Sequence, residues 1–235
     1  DVILFYSESK SVTIHPMQVF GVERISGDSA FPNSIIPNRN QYWIGAWVTP
    51  MADSITTIVN EIAQKMPNGE LFVYQQYPED ESLETSIWRV VNAVFDVLQS
   101  RNIKYVQNTS AASLGQKVNY PVETLRKKQG ICIETAVLFA SVLERLGFGT
   151  FIVFVPGHAF VGWIHNVNEE NFEDAAMFVE TTMIGDNQWT FFDAVLEGIS
   201  KYFDNAGKGY FDSGEAVIVP IQELRQFGIM PNNIP

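Results

Sequence analysis

Residues 121–163 read PVETLRKKQGICIETAVLFASVLERLGFGTFIVFVPGHAFVGW, and they contain the only cysteine of the chain, Cys132. Apolar residues follow this cysteine at helical spacing, namely Ile133, Val137, Leu138, Val142, Leu143 and Leu146. The spacing predicts a buried helix that begins at or near Cys132, after the flexible Gly130, and ends at Gly147. Unpaired N–H groups at a helix start favour a thiolate over a thiol, and so do the basic residues 126–128. Cys132 is therefore a candidate nucleophile.

A predicted β-hairpin follows this helix. Residues 150–155 are β-branched and aromatic, Pro156 and Gly157 predict a turn, and residues 158–164 alternate like a strand. Alternation places His158 and His165 on opposite faces, so only one of them can face the thiol. We expect His158, at the opening of the strand, to be that residue.

The next apolar run, residues 177–183, reads MFVETTM and contains one carboxylate, Glu180. Its pattern predicts a core strand, in which an unpaired Glu would be costly to bury. An imidazolium on a neighbouring strand would be a suitable partner for it. A nucleophilic cysteine needs a base that a third polar group orients. We therefore predict a triad of Cys132, His158 and Glu180, in the order helix, strand, strand.

These motifs resemble the transglutaminase-like branch of the papain-type cysteine enzymes, and its bacterial domains in particular. The resemblance rests on GQKVNYPVETL at residues 115–125, GIC at 130–132 and GHAFVGW at 157–163. A weaker similarity extends from Trp43 to Ile229. Such domains usually carry an acid two residues after the Cys, which is Glu134 here. They often have Asp as the third triad member, where this chain has Glu180, and a Glu can orient a His as an Asp can.

The resemblance implies an α+β fold with a papain/transglutaminase-like core, in which the helix bearing the Cys packs on an antiparallel β-sheet. It implies thiol-dependent acyl transfer on peptide or carboxamide bonds, most of all by a cysteine peptidase or amidase. Transfer to an amine by a transglutaminase stays open, because the same triad serves both. The resemblance also places a recurring Gln at Gln116, whose amide would stabilise the oxyanion together with the N–H of Cys132. Gln is equally an ordinary loop residue, so both interpretations of Gln116 stay open.

Three alternatives remain. A lone cysteine in an apolar helix is usually a small buried hydrophobe, and the domain would then be a non-catalytic binding or scaffold module of a larger protein. Other acids are rivals for the role of Glu180, although they form a charged loop that is typically solvated: Glu169, Glu170, Glu173 and Asp174. A metal site of Cys132, His158, His165 and an acid is disfavoured, because the two histidines point in opposite directions.

The composition limits the class of protein. The chain has 235 residues, 46% of them hydrophobic and 13% aromatic, which suffices for one large domain or for one domain plus a small one. No apolar run approaches the ~20 residues that span a bilayer. A net charge of −12, with no basic run longer than residues 126–128, argues against a nucleic-acid groove. We expect a peptide or protein substrate, no nucleic acid, no membrane insertion, and no cofactor or metal.

Strand-like alternation at residues 2–6, 11–25 and 42–48 predicts a small N-terminal β unit over residues 1–50. Residues 51–235 are the predicted transglutaminase-like enzyme domain. The sequence opens at Asp1 inside a predicted strand, as a processed protein or a piece of a longer multidomain chain would. His15 lies in this unit, remote from the motifs, as an ordinary strand histidine. The low charged fraction and the many small polar residues weakly favour an exported bacterial protein.

Helical spacing recurs in the rest of the chain. It predicts amphipathic helices over about residues 53–66, 82–100 and 191–203, and a short one over 221–227. A buried strand is predicted over residues 216–219.

Overall fold

The structure is a computed structural model that describes residues 40–232, apart from residue 70 and residues 72–80 and 108–117. Helices and strands are mixed around an antiparallel sheet, which is compatible with the predicted α+β fold. The helices are α1 (Asp53–Lys65), α2 (Leu83–Gln99), α3 (Pro121–Lys127), α4 (Cys132–Arg145), α5 (Phe172–Ala175), α6 (Phe191–Gly207), α7 (Tyr210–Ser213) and α8 (Ile221–Gln226). The strands are β1 (Lys104–Tyr105), β2 (Gln129–Gly130), β3 (Thr150–Val155), β4 (His158–Ile164), β5 (Ala176–Val179) and β6 (Val217–Pro220). Among the described residues, no helix is both long enough and apolar enough to cross a membrane.

The main sheet has the strand order β5-β4-β3-β6, and all neighbouring strands are antiparallel. Its centre is the hairpin of β3 and β4, in which Val155 pairs with His158. Gly157 closes the turn with a φ of +75°, in the left-handed region that favours glycine. The predicted hairpin is confirmed at both strands, and it places His158 at the first position of β4.

Helix α4 is the central element of the main core. The residues Ile133 to Leu143 are all buried, because the sheet covers one side of the helix and α1, α2 and α3 cover the others. The apolar spacing predicted one buried stripe, and the burial extends further because three helices surround α4. The helix ends as predicted, with Gly147 at a φ of +84°.

The opposite face of the sheet packs against α6 through a cluster of aromatic rings. Phe178 of β5 stacks on Tyr202 of α6 with ring centroids 4.3 Å apart. Gly198 allows this close approach, since a Cβ at that position would lie 2.7 Å from the backbone nitrogen of Val179. This contact holds α6 against the strand that leads into Glu180.

We expect Gly198→Ala to destabilise the fold by about 1–3 kcal/mol, because the added methyl group meets backbone atoms that cannot move aside. Gly207→Ala is the matched control in the same helix, with nothing within 4 Å of its Cβ. That change should leave stability unchanged or raise it by up to about 1 kcal/mol, since Ala is the better helix former. Urea unfolding followed by circular dichroism compares the two variants, and equal stabilities would contradict the close packing.

One predicted strand, Tyr42–Val48, is wrong. A 3-10 helix covers Asn40–Ala46 instead. The side chain of Arg225 explains the difference, because it donates to the carbonyls of Gly45 and Val48 at 2.8 and 2.9 Å, where a neighbouring strand would otherwise bind. Residues 1–39, which make up the rest of the predicted N-terminal β unit, lie outside the described residues.

Candidate active site

Cys132 occupies the first position of α4, and a buried carboxylate holds this helix start in place. Glu134 is 4% exposed, and its two oxygens accept hydrogen bonds from the backbone N–H groups of Asn119 and Ile131 at 2.8 and 3.1 Å. It thereby satisfies a donor at the helix start that the helix itself leaves unpaired. The side chain of Cys132 remains half-buried. The Glu134 carboxylate therefore fixes the backbone that carries Cys132 at the helix start.

His158 and Glu180 form a direct pair. The imidazole Nε2 of His158 lies 2.6 Å from Oε2 of Glu180. The other oxygen, Oε1, accepts from the backbone N–H of Thr182 at 2.9 Å and from its hydroxyl at 2.6 Å. Glu180 is only 2% exposed, so these bonds supply the partners that a buried carboxylate requires.

The third predicted residue, Cys132, interacts with the same imidazole. The Cys132 side chain lies close enough to the ring of His158 to raise the pKa of that ring. Because Nε2 faces Glu180, Nδ1 is the ring nitrogen left for the thiol. The structure thus brings Cys132, His158 and Glu180 together, whereas Gln116 lies outside the described residues.

The electrostatics of the pair favour charge on both partners. Burial alone would lower the pKa of His158, but the interactions with Cys132 and Glu180 outweigh it and raise this pKa from 6.5 to about 9. Burial alone would raise the pKa of Glu180, and here the bonds from His158 and Thr182 outweigh it and lower this pKa. At neutral pH the site therefore holds an imidazolium beside a carboxylate.

Glu180 does not lie within a strand, as the sequence pattern predicted. Strand β5 ends at Val179, and Glu180 precedes a 3-10 helix at Thr181–Gly185. The strand ends because the N–H of Glu180 donates to the carbonyl of Ala194 in α6, at 2.9 Å, and not to β4. This turn directs the carboxylate to His158.

The rival residues lie elsewhere. Glu173 accepts a hydrogen bond from the hydroxyl of Tyr202 at 3.2 Å, and the neighbouring acids at 169, 170 and 174 are exposed. His165 follows the end of β4 and packs edge-on against Trp88 and Trp163. Burial lowers the pKa of His165, so its environment favours the neutral ring, in contrast to that of His158.

The chain was also compared with known protein families. Residues 64–172, a little under half of the chain, match the family model described as a transglutaminase-like domain. The chain contains a transglutaminase-like domain. Cys132 and His158 lie inside the matched residues of this domain, and Glu180 follows them. A search of the curated proteins finds no match to the chain.

Two residues beside the site of the transglutaminase-like domain were missed from the sequence. Nζ of Lys201 in α6 lies 3.9 Å from Oε2 of Glu180 and also pairs with Glu197.

Tyr105 of β1 pairs with Gly130 of β2, close to Cys132. Burial, and then the neighbouring Cys132 and Glu180, raise the pKa of Tyr105, while Lys201 acts in the opposite direction. The spacing of Glu197 and Lys201 predicts only an ion pair on the surface of a helix. Nothing in the sequence predicts that Tyr105 lies beside Cys132.

The ion pair of His158 and Glu180 should make stability depend on pH. The pKa of His158 is raised from 6.5 to about 9, so its contribution is complete below about pH 6.5 and is lost as the pH rises towards 9. The pKa of Glu180 is lowered from 4.5, so its contribution is present above about pH 4.5 and is lost in acid. We expect the free energy of unfolding of the wild type to exceed that of a Glu180→Gln variant by at most about 3 kcal/mol, with the largest difference at about pH 6.

Urea unfolding of both proteins between about pH 4 and 9 measures this difference. A pKa that differs between the folded and unfolded states makes the free energy of unfolding depend on pH. A difference that stays constant over this range would mean that the pair is not charged.

Proposed function

We propose that this domain is a thiol-dependent acyl-transfer enzyme that acts on peptide or carboxamide bonds through a triad of Cys132, His158 and Glu180. The observation that carries the proposal is the imidazole of His158 between the Cys132 thiol and a buried carboxylate 2.6 Å away. A nucleophile, a base and a group that orients the base are the three parts this chemistry needs.

The proposed reaction begins from an ion pair in which His158, as an imidazolium, holds on Nδ1 the proton taken from the Cys132 thiol. The thiolate attacks the carbonyl carbon of the substrate and forms a tetrahedral oxyanion. The carbon–nitrogen bond then breaks, and His158 donates its proton to the departing amine. Glu180 stays ionised throughout, holding Nε2–H and stabilising the imidazolium. The thioester on Cys132 is released by water, which forms a carboxylic acid, or by an amine, which forms a new amide.

Two donors are proposed for the oxyanion. The backbone N–H of Cys132 is at the first position of α4, where no intrahelical carbonyl is available to it. The side-chain amide of Gln116 is the second donor, and this role remains a prediction. Removal of an oxyanion donor typically slows acyl transfer by about 10²- to 10³-fold.

We also propose that the core is of the papain/transglutaminase type. Its support is the packing of α4 on the antiparallel sheet and the chain order of Cys helix, His strand and acid. The division into an N-terminal β unit at residues 1–50 and an enzyme domain at 51–235 is part of this proposal. The preference for a hydrolase over a transglutaminase rests on the resemblance to bacterial domains, since the triad itself serves both.

Alkylation of the native protein tests the proposal. Iodoacetamide at mildly acidic pH should label Cys132 without denaturant, which mass spectrometry of the tryptic peptides detects, because a functional triad holds a reactive thiolate. Labelling that requires denaturant would show that Cys132 is a core residue. The domain would then be a binding or scaffold module of a larger protein, with a peptide or protein as its partner.

For a labelled enzyme, substrate profiling with a peptide library follows, in the presence and absence of a primary amine. Release of free acids identifies a peptidase or amidase, and incorporation of the amine identifies a transglutaminase. A Cys132→Ala variant is the control, because it removes the nucleophile and should abolish both products.

A further inference from the structure

A pair of buried hydroxyl groups connects the cysteine helix to the turn that carries the acid. The hydroxyl of Thr135 donates to the carbonyl of Cys132 at 3.0 Å. Its oxygen also lies 3.1 Å from the hydroxyl oxygen of Thr181. Both threonines are 0% exposed. The contact is therefore a buried side-chain bridge between two distant parts of the chain.

The direction of the two bonds follows from the number of protons. A threonine hydroxyl has one proton to donate, and that of Thr135 is directed to the Cys132 carbonyl. The Thr135 oxygen must then accept the proton of Thr181. The result is an ordered chain, from Thr181 through Thr135 to the backbone of Cys132.

The two ends of this chain belong to two members of the triad. Thr135 lies one helical turn after Cys132, on the same side of α4. Thr181 directly follows Glu180, whose own N–H is held by Ala194 and whose carboxylate is held by Thr182. Because Thr135 and Cys132 lie on the same helix, a shift of α4 along its axis would stretch the Thr135–Thr181 bond. The same shift would move Cys132 relative to His158.

We propose that Thr135 and Thr181 are positioning residues that set the distance between Cys132 and the His158–Glu180 pair. This inference rests on the proposed function, and it adds to the triad the contact that keeps its two halves in register. Nucleophile and base must stay within hydrogen-bonding reach of each other for proton transfer, so a small displacement is enough to slow the reaction.

The double variant Thr135→Val/Thr181→Val separates positioning from stability. Valine has nearly the shape of threonine, and replacing both partners of a hydrogen bond leaves no unpaired group between the two side chains. The variant should therefore fold while losing the contact. Thr135→Ser keeps the hydroxyl and should behave as the wild type. Ser141→Ala is the matched control, because this buried hydroxyl of α4 binds Val137 and Thr49, far from the triad.

The first measurement is an NMR titration of the His158 ring, which reports its contact with Cys132 independently of any substrate. We expect the double variant to lower the apparent pKa of His158 by about half a pH unit or more, towards the value in a Cys132→Ala variant. Alkylation of Cys132 near pH 6 should also slow by about 3- to 10-fold, because the sulfur then lies farther from its imidazolium partner. Ser141→Ala should change neither quantity.

The outcomes distinguish the two proposals. A double variant that titrates and reacts as the wild type would overturn the positioning role and leave the triad intact. A wild-type His158 that titrates at its ordinary value, and is unaffected by Cys132→Ala, would overturn the proposed function and this inference with it. Should the double variant not fold, Thr181→Val alone serves the same comparison, since it leaves Thr135 bonded to Cys132.

Discussion

A His158→Ala variant is expected to lose acyl-transfer activity by about 10²- to 10⁴-fold, which is the usual contribution of a general base and acid. It should also slow the alkylation of Cys132 by about tenfold near pH 6, and by more at lower pH. His158 is held by Glu180 at 2.6 Å and interacts with the thiol, so removal of the ring takes away both the proton carrier and the positive charge beside the sulfur.

The pH dependence of alkylation follows from the ionisation of thiols. A free cysteine thiol is only about 0.3% thiolate at about pH 6, because its ordinary pKa is about 8.5. An imidazolium partner keeps the thiolate populated in acid, although such a thiolate is a weaker nucleophile, which reduces the gain in rate. The ratio of wild-type to His158→Ala rates should therefore grow as the pH falls and approach one in base.

His165→Ala is the control for this experiment. His165 is the other half-buried histidine near β4, but it packs against Trp88 and Trp163, away from the thiol. Its removal should leave the alkylation rate of Cys132 unchanged. Equal rates for the wild type and His158→Ala near pH 6 would exclude His158 as the partner of the thiol.

The second large effect is expected from Glu180→Gln, which should lower the rate constant of acyl transfer by about 10²- to 10⁴-fold. Oε1 of Glu180 accepts two hydrogen bonds from Thr182, so the amide oxygen of the new Gln side chain will take the same position and accept the same two bonds. Its NH₂ group then faces Nε2 of His158 and donates to it. This arrangement stabilises the tautomer with the proton on Nδ1, which cannot accept the proton of Cys132.

Measurement of the steady-state rate on the substrate found by profiling, together with the NMR titration of His158, checks this prediction. The pKa of His158 should fall in Glu180→Gln, because a hydrogen bond and a negative charge that raise it are lost. Glu173→Gln, in the short acidic helix α5, is the control and should leave both quantities unchanged. An active Glu180→Gln enzyme would show that another group orients the histidine.

Local elements of the fold were predictable because their signals lie within a few residues of one another. The start of α4 at Cys132, its end near Gly147 and the hairpin with its Pro-Gly turn all follow the predicted positions. Helix α2 begins after its Ser82 cap as the amphipathic spacing indicates. In each case the spacing of apolar residues and a cap or turn residue suffice, because the backbone conformation responds to near neighbours.

The two errors have a common physical cause. The predicted strand at Tyr42–Val48 is replaced by a 3-10 helix, and Arg225 binds the carbonyl of Gly45 inside this helix and that of Val48 after it. Glu180 leaves the strand because its N–H binds the carbonyl of Ala194. Both partners lie on distant elements, α8 and α6. A period-two pattern describes which side chains are apolar, and it does not identify the backbone partner that a residue will find.

The sequence by itself determined the transglutaminase-like character of the chain, the placement of Cys132 at a helix start and that of His158 at a strand start. These properties depend on residue types and short spacings. Only the tertiary structure decided which nitrogen of His158 meets Glu180, and that Thr182, Lys201 and the Thr135–Thr181 bridge surround the pair. Such contacts depend on the register and packing of elements far apart in the chain, and the strength of a buried ion pair depends on this geometry.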